Sequence, residues 1–146
     1  MKPLHTIQKV INLIKQFEGF RSSPYRCPGG RLTIGFGHIG PDVVPGLKVT
    51  EEEAEVLLRK DLELVERAME PMIFVELSDN QFSACASLTY NIGISAFRHS
   101  TLLKKINDGD LPGAAMEFLK WDKVNGIPVP GLLKRRKVER DVFHSL

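Results

Sequence analysis

Thr50 and Glu53 stand ahead of a run in which Ala54, Leu57, Leu58, Leu62, Val65 and Ala68 recur at helical spacing as far as Pro71. Threonine followed by glutamate at that interval makes a capping box, in which each side chain satisfies a backbone N–H left free at a helix start. The apolar stripe behind the box has to be packed against something, because most helical stability in proteins comes from burying such a face. The expectation is a helix from about Glu51 to Glu70, the longest in the chain, lying on a core.

The neighbouring segments read in the same way. Ile7, Val10, Ile11, Ile14 and Phe17 mark a first helix that ends at Glu18 and Gly19. SSPYRCPGG, residues 22–30, carries two prolines and a Gly-Gly pair that argue against helix, and RLTIGFGHIG then reads as a short strand or hairpin region. Ser78 and Gln81 form a second capping box, opening a helix through Phe82, Cys85, Leu88 and Thr89 that Gly93 can close. Ser100 or Thr101 caps TLLKKIND, ended by Gly109, and Asp110 caps LPGAAMEFLKW. WDKVNGIPVPG is turn-rich, and a last helix runs from about Leu132 to Phe143. One small β-region near the N-terminus with helices elsewhere is an α+β arrangement.

Composition limits what such a chain can do. With 42% hydrophobic and 26% charged residues it can hold a core of its own, and a chain of 146 residues is the size of one domain. The net charge of +2 and pI of about 8.6 favour an anionic partner but fall short of a nucleic-acid footprint. Cys27 and Cys85 are the only cysteines, without a CxxC pair or zinc-site spacing, so a reduced compartment is expected and a disulfide between them has no support. The N-terminal stretch is interrupted by Lys, Gln, Asn and His, unlike the apolar core of a signal peptide, and no segment approaches the ~18 apolar residues of a membrane span. No export signal and no stable membrane association are expected.

Cleaving a glycosidic bond takes an acid for the leaving oxygen and a group that stabilises charge or holds water on the other face of the sugar. Glu18, at a helix end facing a hairpin, suits the first task, although a helix-terminal glutamate taken alone is usually only solvated. Its spacing is more specific. Glu18, eight residues, Cys27, five residues and Thr33 followed by IGFGH resembles the signature of the phage-type lysozymes, glycoside hydrolase family 24, in which Asp usually stands where this chain has Cys27. QFSACASLTYNIG at 81–93 and STLLKKINDG at 100–109 resemble that family's central helices, and GLLKRRKVERDVF at 131–143 its closing segment.

The resemblance implies a single lysozyme-like catalytic domain over 1–146, mostly helical. It would have a small β-lobe at about 18–50, a linking helix at about 51–70, and a helical lobe at about 71–146 joined by the N-terminal helix. It implies a muramidase that cleaves the β-1,4 bond between N-acetylmuramic acid and N-acetylglucosamine with inversion, water as the attacking group, and no metal or cofactor. It further implies a monomeric endolysin of a phage or prophage, held in the host cytoplasm until a separate holin permeabilises the membrane. The alternative is an inactive cell-wall binding module, against which Glu18 and Thr33 stand at family spacing.

Carried over by position, the resemblance makes Glu18 the general acid and gives Thr33 the task of helping to hold the attacking water. Cys27 either orients or deprotonates that water or attacks the sugar itself; a free thiol is mostly neutral at pH 7, and Arg26 and Arg31 are the nearby cations able to lower its pKa. Asn91 is either a sugar-binding amide or a helix C-cap beside Gly93, and His38 is read as a structural hydrogen-bonding residue. A Cys27–His38 thiol hydrolase would need a hydrogen-bonded pair. Phe97, Phe118 and Trp121 are read as core aromatics. The KRRK run at 134–137 is read as a solvated face, with Arg135 and Glu139 as an i,i+4 pair worth ~0.2–0.5 kcal/mol and attraction to an anionic wall as its functional alternative.

Overall fold

The computed structural model describes residues 5–27 and 29–145. Both ends of the expected 1–146 domain, and Pro28 of the interrupted 22–30 segment, lie outside the described residues. Helix α1 (Gln8–Glu18) buries Val10, Ile11 and Ile14, leaves Phe17 half-buried, and stops at Gly19, whose φ of 73° turns the chain out of the helix.

Three antiparallel strands follow in sequence order: β1 (Arg21–Arg26), β2 (Leu32–Gly35) and β3 (His38–Ile39). Tyr25 faces Thr33 across β1 and β2, and Ile34 faces His38 across β2 and β3. Pro24 sits in β1 where the register breaks between Arg21 and Tyr25. A residue without an N–H is tolerated there, on an edge strand at an irregularity, so the proline that excludes a helix does not exclude a strand.

Helix α2 (Glu51–Met69) begins at the expected box: Glu53 N–H donates to Thr50 Oγ1 at 3.1 Å, and Thr50 N–H to Glu53 Oε1 at 2.9 Å. It packs against β2 and β3 and also against α3 (Asp79–Ile92), whose own Ser78–Gln81 box forms as expected. The turn residue Phe36 joins Ala54, Leu58 and Leu62 of α2 and the α1 and α3 residues in one apolar cluster. Phe82 to Thr89 of α3 are buried without a break, so this helix is covered on every side.

Short helices α4 (Ile94–Arg98), α5 (Thr101–Asn107) and α6 (Leu111–Glu117) complete the helical part, with Ser100 capping α5 and Asp110 capping α6. Phe97 and Phe118 are core residues, as the sequence suggests, and Trp121 packs half-buried against them. The turn-rich segment holds a second, unexpected hairpin, β4 (Lys123–Val124) paired with β5 (Ile127–Pro128). Asn125 and Gly126 both take positive φ, 50° and 79°, as a tight two-residue hairpin turn requires. Helix α7 (Pro130–His144) then lies along α3.

The reading of the KRRK run as a solvated face is corrected here. Arg135, Arg136 and Glu139 are buried on the side of α7 that also carries Val142 and Phe143, and only Lys134 and Lys137 of the run are exposed. Positions i, i+1, i+4, i+7 and i+8 form one helical stripe, which here faces α3, and the charges can lie in it because each is paired.

Candidate active site

Glu18 is the last residue of α1, where the helix meets the sheet. Its Oε2 accepts a hydrogen bond from Arg135 Nη1 of α7 at 2.6 Å. Its Oε1 accepts none among the described residues and lies against Gly37, where a Cβ would stand 3.0 Å from Oε1 and 3.2 Å from Tyr90 Oη. Gly37 has φ 91°, so both the turn and the closeness of this approach require glycine. Tyr90 Oη donates to Phe36 O at 2.7 Å and thereby ties the β2–β3 turn to α3. Burial, followed by the charges of Asp61 and Glu18, pushes the Tyr90 phenol far above its ordinary range.

Cys27 follows β1 in a tight turn: its N–H donates to Arg31 O at 3.0 Å and its carbonyl accepts from Gly30 N–H at 2.8 Å. The thiol is half-buried and Thr33 is buried, its Oγ1 3.1 Å from Arg31 O, so that its one O–H can turn either to that carbonyl or to the sulfur. The Thr33 hydroxyl, then the backbone N–H groups of Arg31 and Gly29, hold the Cys27 pKa below the usual thiol value. The guanidinium groups of Arg26 and Arg31 do not carry that effect. Arg26 Nη1 donates instead to Gly30 O at 2.8 Å, and Arg31 acts through its backbone.

Tyr25 joins the two halves. Its phenol is raised first by burial, then by the negative charge of Glu18, and further by Cys27, against the opposing charge of Arg21. Tyr25 thus lies within electrostatic reach of both Glu18 and Cys27 and faces Thr33 across β1 and β2.

Asn91 shares a cleft with Glu18 but not with Cys27 or Thr33. It is exposed near the end of α3, and Gly93 closes the helix with φ 93°, so Asn91 is not the cap. Its Oδ1 accepts from Arg136 Nη2. With Glu18, Leu13, Phe17, Val129 and Leu132 it lines a cleft of about 620 Å³ between α1 and the start of α7, which Cys27 and Thr33 do not line.

Behind Glu18 lies a buried network of which the sequence gives only the i,i+4 pair of Arg135 and Glu139. Glu139 accepts from Arg135 Nε at 3.1 Å, Arg136 Nη1 at 2.6 Å and Ser87 Oγ at 2.5 Å. Arg135 Nη2 also donates to Ser87 O at 3.2 Å, and Arg136 Nε to Trp121 O at 2.8 Å. The sequence signal for this network is the placement of three charges in register with Val142 and Phe143 on an otherwise apolar stripe.

His38 has the structural role expected of it. Its Nδ1 bonds Asp61 of α2 at 2.7 Å and its Nε2 bonds Asp42 at 3.0 Å. Burial opposes a charge on the ring, but the hydrogen bonds and charges of the two carboxylates outweigh it and raise the His38 pKa. Both ring nitrogens are engaged, so no Cys27–His38 pair forms.

The phage lysozyme family profile matches residues 15–139, a span that contains the junction around Glu18 and the buried charges of α7. The chain belongs to the phage lysozyme family. It is 46% identical over 146 residues to an endolysin of Acyrthosiphon pisum secondary endosymbiont phage 1, covering 97% of this chain and 99% of that protein. Among solved structures, the muramidase domain of SpmX from Asticcacaulis excentricus superposes with a TM-score of 0.91 at 35% identity, over 98% of this chain and 99% of that one. The endolysin of Escherichia coli O157:H7 phage FAHEc1 gives a TM-score of 0.85 at 36% identity, over 99% of this chain and 94% of the other. The α+β fold expected from the sequence is thus that of the phage-type lysozymes, and the chain is a glycoside hydrolase of that kind.

Proposed function

We propose that this phage-type lysozyme cleaves the β-1,4 bond between N-acetylmuramic acid and N-acetylglucosamine with Glu18 as the general acid. The observation that carries the assignment is the unequal use of the Glu18 oxygens. Oε2 is clamped by Arg135, while Oε1 accepts no hydrogen bond among the described residues and is available to deliver a proton to a leaving oxygen. Cys27 and Thr33 would supply a polarised sulfur and a hydroxyl for holding water, a reading supported by the Thr33 hydroxyl's effect on the Cys27 thiol and by the charge of Cys27 felt at Tyr25. Asn91 keeps its amide N–H groups for a sugar or acetamido oxygen, because among the described residues its one bond is from Arg136 to its carbonyl oxygen.

The glycan strand runs between a small β-lobe at about 18–50 and a helical lobe, with α2 joining them; the packing of α2 on both β2–β3 and α3 supports that division. The protein acts as a monomeric endolysin on the bacterial wall, waiting in the host cytoplasm until a holin opens the membrane. None of its described helices is long and apolar enough to cross a membrane.

A turbidity assay on outer-membrane-permeabilised bacteria tests the acid. Glu18→Gln keeps the shape but cannot donate the proton, and activity is expected to fall by at least ~100-fold. Full lysis by the Gln variant ends the assignment.

A further inference from the structure

We infer that Glu139, although outside the cleft, is a positioning residue for the hydrolysis, holding Arg135 on Glu18 and Arg136 on Asn91 at the same time. The inference rests on the proposed role of Glu18 as the acid. Glu139 is 3% exposed and is not part of the cleft lining, so it reaches substrate only through the two guanidinium groups. Each of those groups spends one nitrogen on Glu139 and another on a residue of the cleft. Arg135 gives Nε to Glu139 and Nη1 to Glu18, and Arg136 gives Nη1 to Glu139 and Nη2 to Asn91.

The charges alternate along this path: Glu18, Arg135, Glu139, Arg136. Burial penalises both arginines, and for each of them Glu139 is the strongest compensating charge. Two adjacent guanidinium groups are thereby kept apart and rigid, with Ser87 Oγ and Ser87 O fixing the centre from α3. A purely structural helix contact would not need ions, because apolar residues of similar volume pack as well or better. What an apolar replacement cannot do is aim one guanidinium at a carboxylate and the next at an amide in the same cleft. Errors of about 1 Å in such a constellation can cost about 100-fold in rate.

The test is Glu139→Gln and Glu139→Asp, assayed on soluble glycan oligomers beside Glu18→Gln, with kcat, KM and their pH profiles measured and folding checked by thermal melting. Gln keeps the volume but turns an N–H toward one guanidinium and removes the negative charge. The expected result is a kcat at least tenfold lower, KM within about threefold of wild type, and an alkaline limb of kcat/KM moved to lower pH because the site has gained positive charge. The titratable groups facing Glu18 and Glu139 are Arg135 and Arg136 from α7, Tyr90 and Cys85 from α3 and Tyr25 from β1, and none of them is altered.

Asp keeps the charge but is too short to reach both arginines, so kcat falls while the limb stays in place. If the Gln variant does not fold, the Asp variant decides by its kcat. A folded Gln variant, or failing that a folded Asp variant, with wild-type kcat and profile overturns the role of Glu139. If Glu18→Gln is also fully active, it is the acid assignment that has failed instead.

Discussion

The two sides of the junction around Glu18 are built on different principles. On the helical side, a carboxylate at the end of α1 is held by an arginine 117 residues later in the chain, and that arginine is held by Glu139 and Ser87 in the buried interface of α3 and α7. On the hairpin side, Cys27 is held by groups within six residues of it: the Thr33 hydroxyl and the backbone of Gly29, Gly30 and Arg31. Glu18, the proposed acid, is thus placed by long-range, buried and mutually dependent contacts, and the Cys27 sulfur by local ones in a half-buried turn. Damage to the first should spread into the fold, whereas damage to the second should stay in the chemistry.

Replacing Arg135 by Met is the strongest way to break that contrast. The change deletes the donors to Glu18 Oε2, Glu139 Oε2 and Ser87 O and leaves the buried Glu139 with one guanidinium instead of two. Breaking a buried pair by removing one partner costs about 3–5 kcal/mol. Urea unfolding is expected to show a loss of that size, and a variant as stable as wild type would mean that the network is not holding the helical side together.

A smaller effect is expected where the hairpin is pinned to α2. His38→Asn removes a ring bonded to both Asp61 and Asp42, and charge-assisted hydrogen bonds contribute about 1.5–3 kcal/mol. The sign of the pH dependence follows from the raised pKa of His38. Its stabilisation is fully present below the unfolded value of about 6.5 and is lost as the pH rises through the folded value. Asp42, lowered by its bond to His38, contributes above its own unfolded pKa of about 3.9 and loses that contribution as the pH falls through its folded value. The difference between wild type and His38→Asn in urea midpoints should therefore be larger at pH 6 than at pH 9. An equal difference at both values would show that the ring acts by packing alone.

The same contrast governs what could be read from the chain beforehand. The starts of α2, α3, α5 and α6 were legible because a cap is a local device of a few residues, and Thr50, Ser78, Ser100 and Asp110 all act as expected. The β4–β5 hairpin was missed although Asn125-Gly126 marks its turn, because strands of two residues carry no alternation to recognise. Arg135 and Glu139 have the same i,i+4 spacing on a solvated helix as in a core, and only their register with Val142 and Phe143 separates the two cases. Gly37 and Tyr90 meet Glu18 from distant parts of the chain, and no pattern within a segment announces such a meeting. Glu18, Cys27 and Thr33 are proposed as a set on the family spacing alone.

Cys27 gives the smallest effect on stability and the most informative one on chemistry. Its contacts are local, so Cys27→Asp should leave the urea midpoint near that of wild type while keeping activity, since Asp is the residue that the resemblance to the phage-type lysozymes implies for this position. The lowered pKa means that iodoacetamide should alkylate the thiol with a pH midpoint below that of an ordinary cysteine, and Thr33→Val should move that midpoint upward. A hydroxyl and two backbone N–H groups that stabilise the thiolate also make it a poorer nucleophile, because nucleophilicity falls with pKa. Water is therefore the expected attacking group, oriented by Cys27 and Thr33, and the first-formed reducing end should have the inverted configuration. Proton NMR of the nascent product on a soluble glycan oligomer reads that configuration directly. A retained anomer, or a thioglycoside trapped on Cys27, would make the sulfur the nucleophile and move the centre of the reaction from the helical side to the hairpin.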